Sequence, residues 1–230
     1  MFKKIFFLIQ SKSSLKVILK FIFCKFMRIF NKSKVRNEKK YYKSLLSNLI
    51  ISSDFFVTNV YYFFKYIKNF NNFNYLEIGA YEGCSAIYIA NRFKGSKVFC
   101  VDIWERVKEE YSESINFKNI EENFDKNSKN YLNIFKIKKN SDEFFKNNDL
   151  TFDIIYVDGH HLADQVYKDA INSWNALNNS GILIFDDYIW KNYDDIKKNP
   201  CYAINKFLRE KHNKFLILEV TNSQIFIKKK

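Results

Sequence analysis

Between Phe152 and Tyr188 the chain sets four ionisable side chains at spacings that suit a metal-assisted reaction. Asp158 follows the apolar run Ile154–Val157, and Asp186-Asp187 follows the apolar run Ile182–Phe185, with His161 three residues past the first acid. Three carboxylates are hard oxygen ligands, which favour Mg²⁺, Mn²⁺ or Ca²⁺ over zinc. Clustered, they repel one another unless a cation is present or some are protonated. An alcohol is a poor nucleophile at neutral pH. A dication lowers the pKa of an alcohol bound to it, and a nearby imidazole can take the proton.

These groups need elements that bring them to one rim. Leu162–Leu177 has helical spacing, and Asn178-Asn179-Ser180-Gly181 reads as its stop signal. Strand, helix and strand of this length make a crossover unit with parallel strands, so the acids fall at carboxyl ends, where open α/β sheets place their ligands. Upstream, Phe73–Ile78 and Lys97–Val101 read as strands, with a glycine turn and helix Ser85–Arg92 between them. Glu105–Asn127 reads as polar helix, Tyr131–Ile137 as a third strand and Asp142–Asn147 as a short helix. After Asp187 come a loop, helix Tyr202–His212, and strands Phe215–Val220 and Gln224–Lys228 joined by a hairpin-length turn. The expected fold is α/β: a Rossmann-like, doubly wound, mostly parallel seven-stranded sheet with an antiparallel C-terminal hairpin and an N-terminal helical extension.

At 230 residues the chain is long enough for one domain with additions. Its four cysteines are scattered without a CxxC pair, which points to free thiols in a reducing cytoplasm. The net charge of +13 is concentrated at one end: residues 1–40 hold twelve Lys/Arg against the single acid Glu38. The other 190 residues contribute only +2, so a nucleic-acid partner is not expected, because such binders carry a basic face on the folded domain. Residues 1–36 form a basic segment, 37–72 a helical cover and 73–230 the main domain. Lys16, Lys20, Lys25 and Arg28 interrupt Leu15–Phe30, leaving no run of about 18 apolar residues that would span a bilayer. No cleavage signal follows either. Residues 1–34 are expected to lie on an anionic membrane surface or, alternatively, to pack on the body or on a second subunit. In Phe55–Phe70 the aromatics Tyr61-Tyr62-Phe63-Phe64 read as core packing or as the floor of a substrate pocket.

The first strand leads into Glu77-Ile-Gly-Ala-Tyr-Glu-Gly-Cys-Ser85. Gly79 and Gly83 permit a sharp turn and a close backbone approach, and the next helix aims its first amides at a ligand. The third glycine of a dinucleotide fingerprint is missing, and Glu77 suits a ligand with a cationic amino group. Asp102, ending the second strand, suits two ribose hydroxyls. Asn140-Ser141-Asp142 offers a polar loop to an adenine edge.

LEIGAYEGCSA, the VDIW around Asp102, and DGHH followed by GILIFDDY resemble the class I S-adenosylmethionine-dependent methyltransferases. Within them the likeness is to the metal-dependent O-methyltransferases, which include the catechol and macrolide-sugar enzymes, and it covers about residues 73–190. The resemblance implies S-adenosylmethionine and a divalent metal as cofactors. It places Glu77, Gly79 and Ser85 at the methionine end of the cofactor and Asp102 on its ribose. The full implied cofactor-binding set is Glu77, Gly79, Ala80, Tyr81, Gly83, Ser85, Asp102, Ile103, Ser141, Asp142 and Asp158. Asp158, Asp186 and Asp187 become the metal ligands, His161 the general base, and His161 with Asp158 the catalytic pair. The expected acceptor is a small molecule or glycan with neighbouring oxygens, and the expected site of action is the cytoplasm or the inner face of its membrane. The alternatives are a metal-independent methyltransferase acting on nitrogen or a phosphoryl oxygen, and an inactive membrane-peripheral scaffold.

Overall fold

A computed structural model describes residues 1–105 and 119–230 of the chain. Before the sheet lie α1 (Phe2–Gln10), α2 (Leu15–Phe30), α3 (Lys32–Leu46) and α4 (Val60–Ile67). The sheet is built from β1 (Phe73–Ile78), β2 (Ser96–Asp102), β3 (Ile134–Lys138), β4 (Phe152–Val157), β5 (Leu177–Phe185), β6 (Phe215–Val220) and β7 (Ile225–Lys229). Between the strands run α5 (Cys84–Arg92), α6 (Ile120–Ser128), α7 (Ser141–Lys146), α8 (Ala163–Ala176) and α9 (Pro200–Glu210). The strand order is β3-β2-β1-β4-β5-β7-β6, the first five parallel and β7 antiparallel to both neighbours. This is the expected mixed sheet. The order in which strands are added reverses between β1 and β4, the place where such sheets open a ligand crevice.

The period of two along each strand divides the core. Leu76, Ile78, Ile155, Val157, Leu183 and Phe185 face one layer, closed by α1, α2, α7, α8 and α9. Tyr75, Ile154, Tyr156, Ile182 and Ile184 face the other, closed by α3, α4, α5 and α6. Burial on both faces explains why these strands are continuous apolar runs rather than alternating ones. Phe185 meets Phe207 of α9 at a centroid distance of 5.6 Å, and each phenyl buried this way contributes about 1.5–3 kcal/mol.

Some boundaries differ from expectation. Asn178–Gly181 does not separate helix from strand. Leu177 already pairs with Phe152, and the register slips before Ile182 meets Ile154, so the stop signal is a bulge inside β5. The third strand starts at Ile134 because Tyr131 and Ile134 close a turn through the Ile134 amide and the Tyr131 carbonyl, 3.1 Å apart. Of the expected helix Glu105–Asn127, Ile120–Asn127 lies in α6 and Glu105 is a bend outside any helix; 106–118 lie outside the described residues.

The N-terminal segment packs on the body. Phe7, Leu8, Val17 and Phe21 are buried in the same core layer as α8 and α9. The turn between α1 and α2 is fixed by Asn205 of α9, whose amide donates to Ser11 O at 2.9 Å and Ser13 Oγ at 2.8 Å. Tyr188 OH donates to Asn205 Oδ1 at 2.7 Å, which ties this turn to the residue after Asp187. All four cysteines are buried free thiols. Among the described residues, no helix is long and apolar enough to cross a membrane.

Candidate active site

The candidate site lies along the carboxyl ends of β1, β2, β4 and β5. Gly79 leaves β1 at φ +88°, with its amide donating to Val101 O at 2.9 Å. A Cβ there would lie 2.6 Å from the Asp158 carbonyl carbon, so Gly79 is required by the close passage of two strand ends. Gly83 caps α5 at φ +85°. Between the glycines, the Ala80 and Tyr81 amides donate to Asp102 Oδ2 at 2.8 and 2.9 Å, and the Trp104 amide donates to Oδ1 at 2.7 Å. Burial raises the Asp102 carboxyl, and these amides, with that of Ile103, pull it back. A carboxylate offers about four lone-pair positions, so capacity remains for a ligand hydroxyl.

Glu77 is 1 % exposed on the α3–α6 face. Ser85 Oγ donates to its Oε1, and Tyr75 OH donates to Oε2 at 3.2 Å. Burial pushes its carboxyl up to about 8, with both hydroxyls acting in the opposite direction. Tyr156 repeats this pattern one strand away: its OH donates to Asp158 Oδ2 at 2.7 Å and also reaches Asp186 Oδ2. Tyr75-x-Glu77 and Tyr156-x-Asp158 each place a phenol and an acid on one strand face by the period of two. Neither tyrosine was in the sequence-derived site, and that spacing is the signal that identifies them. Glu82 also lay outside the sequence-derived set; it is fully buried and accepts from the Ser52 amide at 2.7 Å and Asn123 Nδ2 at 2.8 Å.

Asp158, His161 and Asp187 converge: one ligand atom of each lies within 4.8 Å of the others. His161 Nε2 stands 2.8 Å from Asp187 Oδ2, and its ring meets Trp190 edge-on at 5.3 Å. Asp187 reaches this position from a left-handed backbone, φ +52°, which aspartate tolerates better than most residues. Tyr81 at +48° and Trp104 at +51° share that region, so backbone strain gathers around this rim.

Asp186 faces another way. Its Oδ2 accepts from Gln224 Nε2 at 2.7 Å and from Tyr156, and its Oδ1 from the Asp187 amide at 2.8 Å. Burial raises both Asp158 and Asp186, and mutual repulsion with Asp187 adds to it. His160 turns back on α8, accepting from the Leu162 amide at 3.1 Å. Ser141 and Asp142 bind α8 through Gln165 Nε2, at 3.2 and 3.1 Å. Trp104 is buried on Phe124, with its indole N–H donating to Tyr81 O at 2.8 Å.

Residues 76–188 match the protein family described as a methyltransferase domain. No curated protein matches the sequence. Among solved structures, a Staphylococcus aureus protein described as a caffeoyl-CoA O-methyltransferase superposes with a TM-score of 0.57 at 16 % identity, over 91 % of this chain and all of its own. The macrolide methyltransferase MycE, in complex with Mg, S-adenosylhomocysteine and mycinamycin VI, gives 0.58 at 16 % identity, over 82 % of this chain and 54 % of its own. A Clostridium thermocellum protein described as an rRNA methylase gives 0.54 at 15 % identity, over 72 % and 94 %. At such identities the superpositions speak for the fold. With the glycine turn, buried acid and strand-end acids in place, the family match identifies residues 76–188 as a methyltransferase domain, and the superpositions give the Rossmann-like fold of the methyltransferases.

Proposed function

We propose that this methyltransferase acts on a hydroxyl oxygen of a small or saccharide-type acceptor with the help of a divalent cation. The observation that carries the reading is the convergence of Asp158, His161 and Asp187 beside the Gly79 turn. When bound, S-adenosylmethionine supplies a methyl group already activated by its sulfonium, and a hard dication supplies the charge that makes an alcohol acidic. Glu77 would hold the cofactor's ammonium group, Asp102 its ribose, and Ser141 and Asp142 would stand near its base. Asp158, between the glycine turn and the acidic cluster, would face both reactants. Tyr156 acts as a positioning residue, since its hydroxyl fixes the carboxylates of Asp158 and Asp186.

Two donor sets fit the cation. In one, Asp158, Asp186 and Asp187 bind it while His161 takes the acceptor's proton. The present contacts support a second, in which His161 joins Asp158 and Asp187, and Asp186 stays bound to Tyr156 and Gln224. Calorimetry with S-adenosylhomocysteine, with Mg²⁺ and after chelation, tests the core of the proposal. Binding of both the nucleoside and the ion supports it. Turnover that survives exhaustive chelation would assign a metal-independent reaction, and failure to bind the nucleoside would leave only a scaffold.

The functional partition we propose is a basic segment 1–36, a cover 37–72 and a catalytic domain 73–230, working in the cytoplasm at the inner face of a membrane. Support for the membrane comes from the outer faces of α1 and α2. Phe2, Phe6, Leu19, Phe23, Phe26 and Phe30 are exposed there, beside exposed Lys3, Lys12 and Lys16. Such a face suits an anionic bilayer surface. Sedimentation with anionic vesicles should be lost in a Phe23→Asp, Phe26→Asp variant, and unchanged sedimentation would remove the idea.

A further inference from the structure

Beside Asp187 opens a cavity of about 300 Å³. Its wall includes Tyr62, Trp190, Asn59, Asn222 and Ser223, a mixture of aromatic faces with amide and hydroxyl groups that suits a sugar ring. Two cations stand in the same wall, Lys4 from α1 and Arg28 from α2. Arg28 also lines a second, larger concavity of about 630 Å³, whose other polar residues are Lys32, Arg36, Lys39, Lys40 and Lys43. On α3 these five follow helical spacing and form one stripe.

The stripe has almost no compensation. Glu38, the single acid in residues 1–40, turns inward, where it accepts from Arg92 Nε at 3.0 Å and from Tyr88 OH at 2.6 Å. Asp54 acts on Lys39 from the side, but its Oδ1 already accepts from Tyr42 OH and from the Phe56 and Val57 amides. Among the described residues, none of the six cations has a carboxylate in salt-bridge contact. Burial and the neighbouring Arg28 and Lys43 charges lower the Lys39 ammonium, so these cations already oppose one another. A concave row of uncompensated cations attracts a polyvalent anion, and guanidinium groups favour phosphate.

We propose that the acceptor is a saccharide carrying a phosphate or diphosphate, its sugar held in the cavity beside Asp187 and its phosphates on Arg28 and the α3 stripe. This rests on the O-methyltransferase reading above and names its substrate class. Arg28, shared by both concavities, is the residue that joins the two halves of the acceptor. The diphosphate can belong to a nucleotide or to a lipid carrier, and both offer the same group to the stripe.

The test is calorimetry on the full chain in chelator, so that no metal competes, using inorganic pyrophosphate, a nucleoside diphosphate-hexose and the free hexose. Pyrophosphate and the nucleotide sugar should bind in 0.15 M salt, the free hexose should not, and Arg28→Ala with Arg36→Ala should weaken both by about tenfold or more. S-adenosylhomocysteine affinity serves as the control and should not change in that variant. Vesicles carrying a polyprenyl diphosphate-sugar separate the sources: capture of those vesicles in preference to plain anionic ones assigns the lipid carrier, and preference for the nucleotide sugar assigns the nucleotide. Absent or variant-insensitive pyrophosphate binding, with S-adenosylhomocysteine bound normally, overturns the acceptor class and leaves the methyltransferase intact. RNA binding that pyrophosphate does not displace also overturns it. If the wild type fails to bind S-adenosylhomocysteine, the underlying reading is what fails.

Discussion

Glu77 offers the sharpest test of the proposed cofactor site, because its environment makes two opposite demands. In the ligand-free protein it is sealed between Ser85, Tyr75 and the sheet, and burial pushes its carboxyl from 4.5 up to about 8. The folded state therefore holds a proton that the unfolded chain has released between about pH 4.5 and 8, and stability falls as pH rises through that window. The slope approaches about 1.4 kcal/mol per pH unit in mid-window and is smaller at both ends, so Glu77 alone costs about 3.5 kcal/mol between pH 5 and pH 8. Asp158 and Asp186 are also raised and add a slope of the same sign. The informative quantity is thus the difference between wild type and Glu77→Gln, which keeps the shape and cannot ionise. Urea unfolding at pH 5, 6, 7 and 8 in chelator should show a shallower loss in the variant, its advantage growing toward pH 8. Equal slopes in the two proteins would refute the buried neutral carboxyl.

Binding supplies the second half of this prediction. A ligand ammonium pairing with Glu77 favours its ionised form, so wild type should release up to about one proton on binding S-adenosylhomocysteine at pH 6–7. Calorimetry in buffers of different ionisation enthalpy reads that proton directly. In Glu77→Gln the release should vanish and affinity should fall about 10- to 100-fold, the usual worth of a buried hydrogen bond to a charged group. An unchanged affinity would remove Glu77 from the ammonium site even if the stability result held.

Other predictions follow from single contacts. Gly79→Ala combines an unfavourable φ with overlap on the Asp158 carbonyl and should cost about 3 kcal/mol or more, seen as a large fall in Tm; a native Tm would refute the strand-crossing argument. Asp187→Asn should weaken Mn²⁺ binding, measured by paramagnetic resonance, more than Asp186→Asn does if His161 ligates the cation, and the two should be equal if all three acids do. His161→Ala separates the same arrangements: as base it lowers kcat and flattens the acid limb of the pH–rate profile with Mn²⁺ affinity intact, while as ligand it loses the ion.

The sequence exposes those parts of this molecule that depend on period and punctuation. β1 and β6 fall on their expected residues because apolar runs bounded by turn residues leave little choice of ends. Asn178–Gly181 misleads for a related reason: a polar, glycine-containing run marks a break in pairing, and it cannot say whether the break ends a strand or bulges inside one. The candidate site divides in the same way. Acids at strand ends stand out against apolar neighbours, so Asp102, Asp158, Asp186 and Asp187 are visible. Tyr156 and Gln224, which decide where Asp186 points, are hidden because a tyrosine inside a strand and a glutamine at a strand's start have ordinary explanations. Side-chain direction is settled by neighbours distant in sequence, and residue spacing carries no record of them.

The N-terminal segment shows how such distant contacts bear on function. Composition sets residues 1–36 apart from the rest, yet Phe7 and Phe21 lie in the sheet's own core layer. Ser13, Asn205 and Tyr188 then form a hydrogen-bonded chain from the α1–α2 turn to the peptide that follows Asp187. Lys4 extends the connection, donating to Asn222 O at 2.6 Å in the wall of the cavity beside that acid. A displacement of α1 and α2 would therefore move the cavity wall and its cations together with the backbone that orients Asp187. If a bilayer receives the outer face of these helices, the cavity beside Asp187 is the part of the protein that would register it. Occupation of that cavity and binding of the membrane would then be linked, each changing the other's affinity by the same factor.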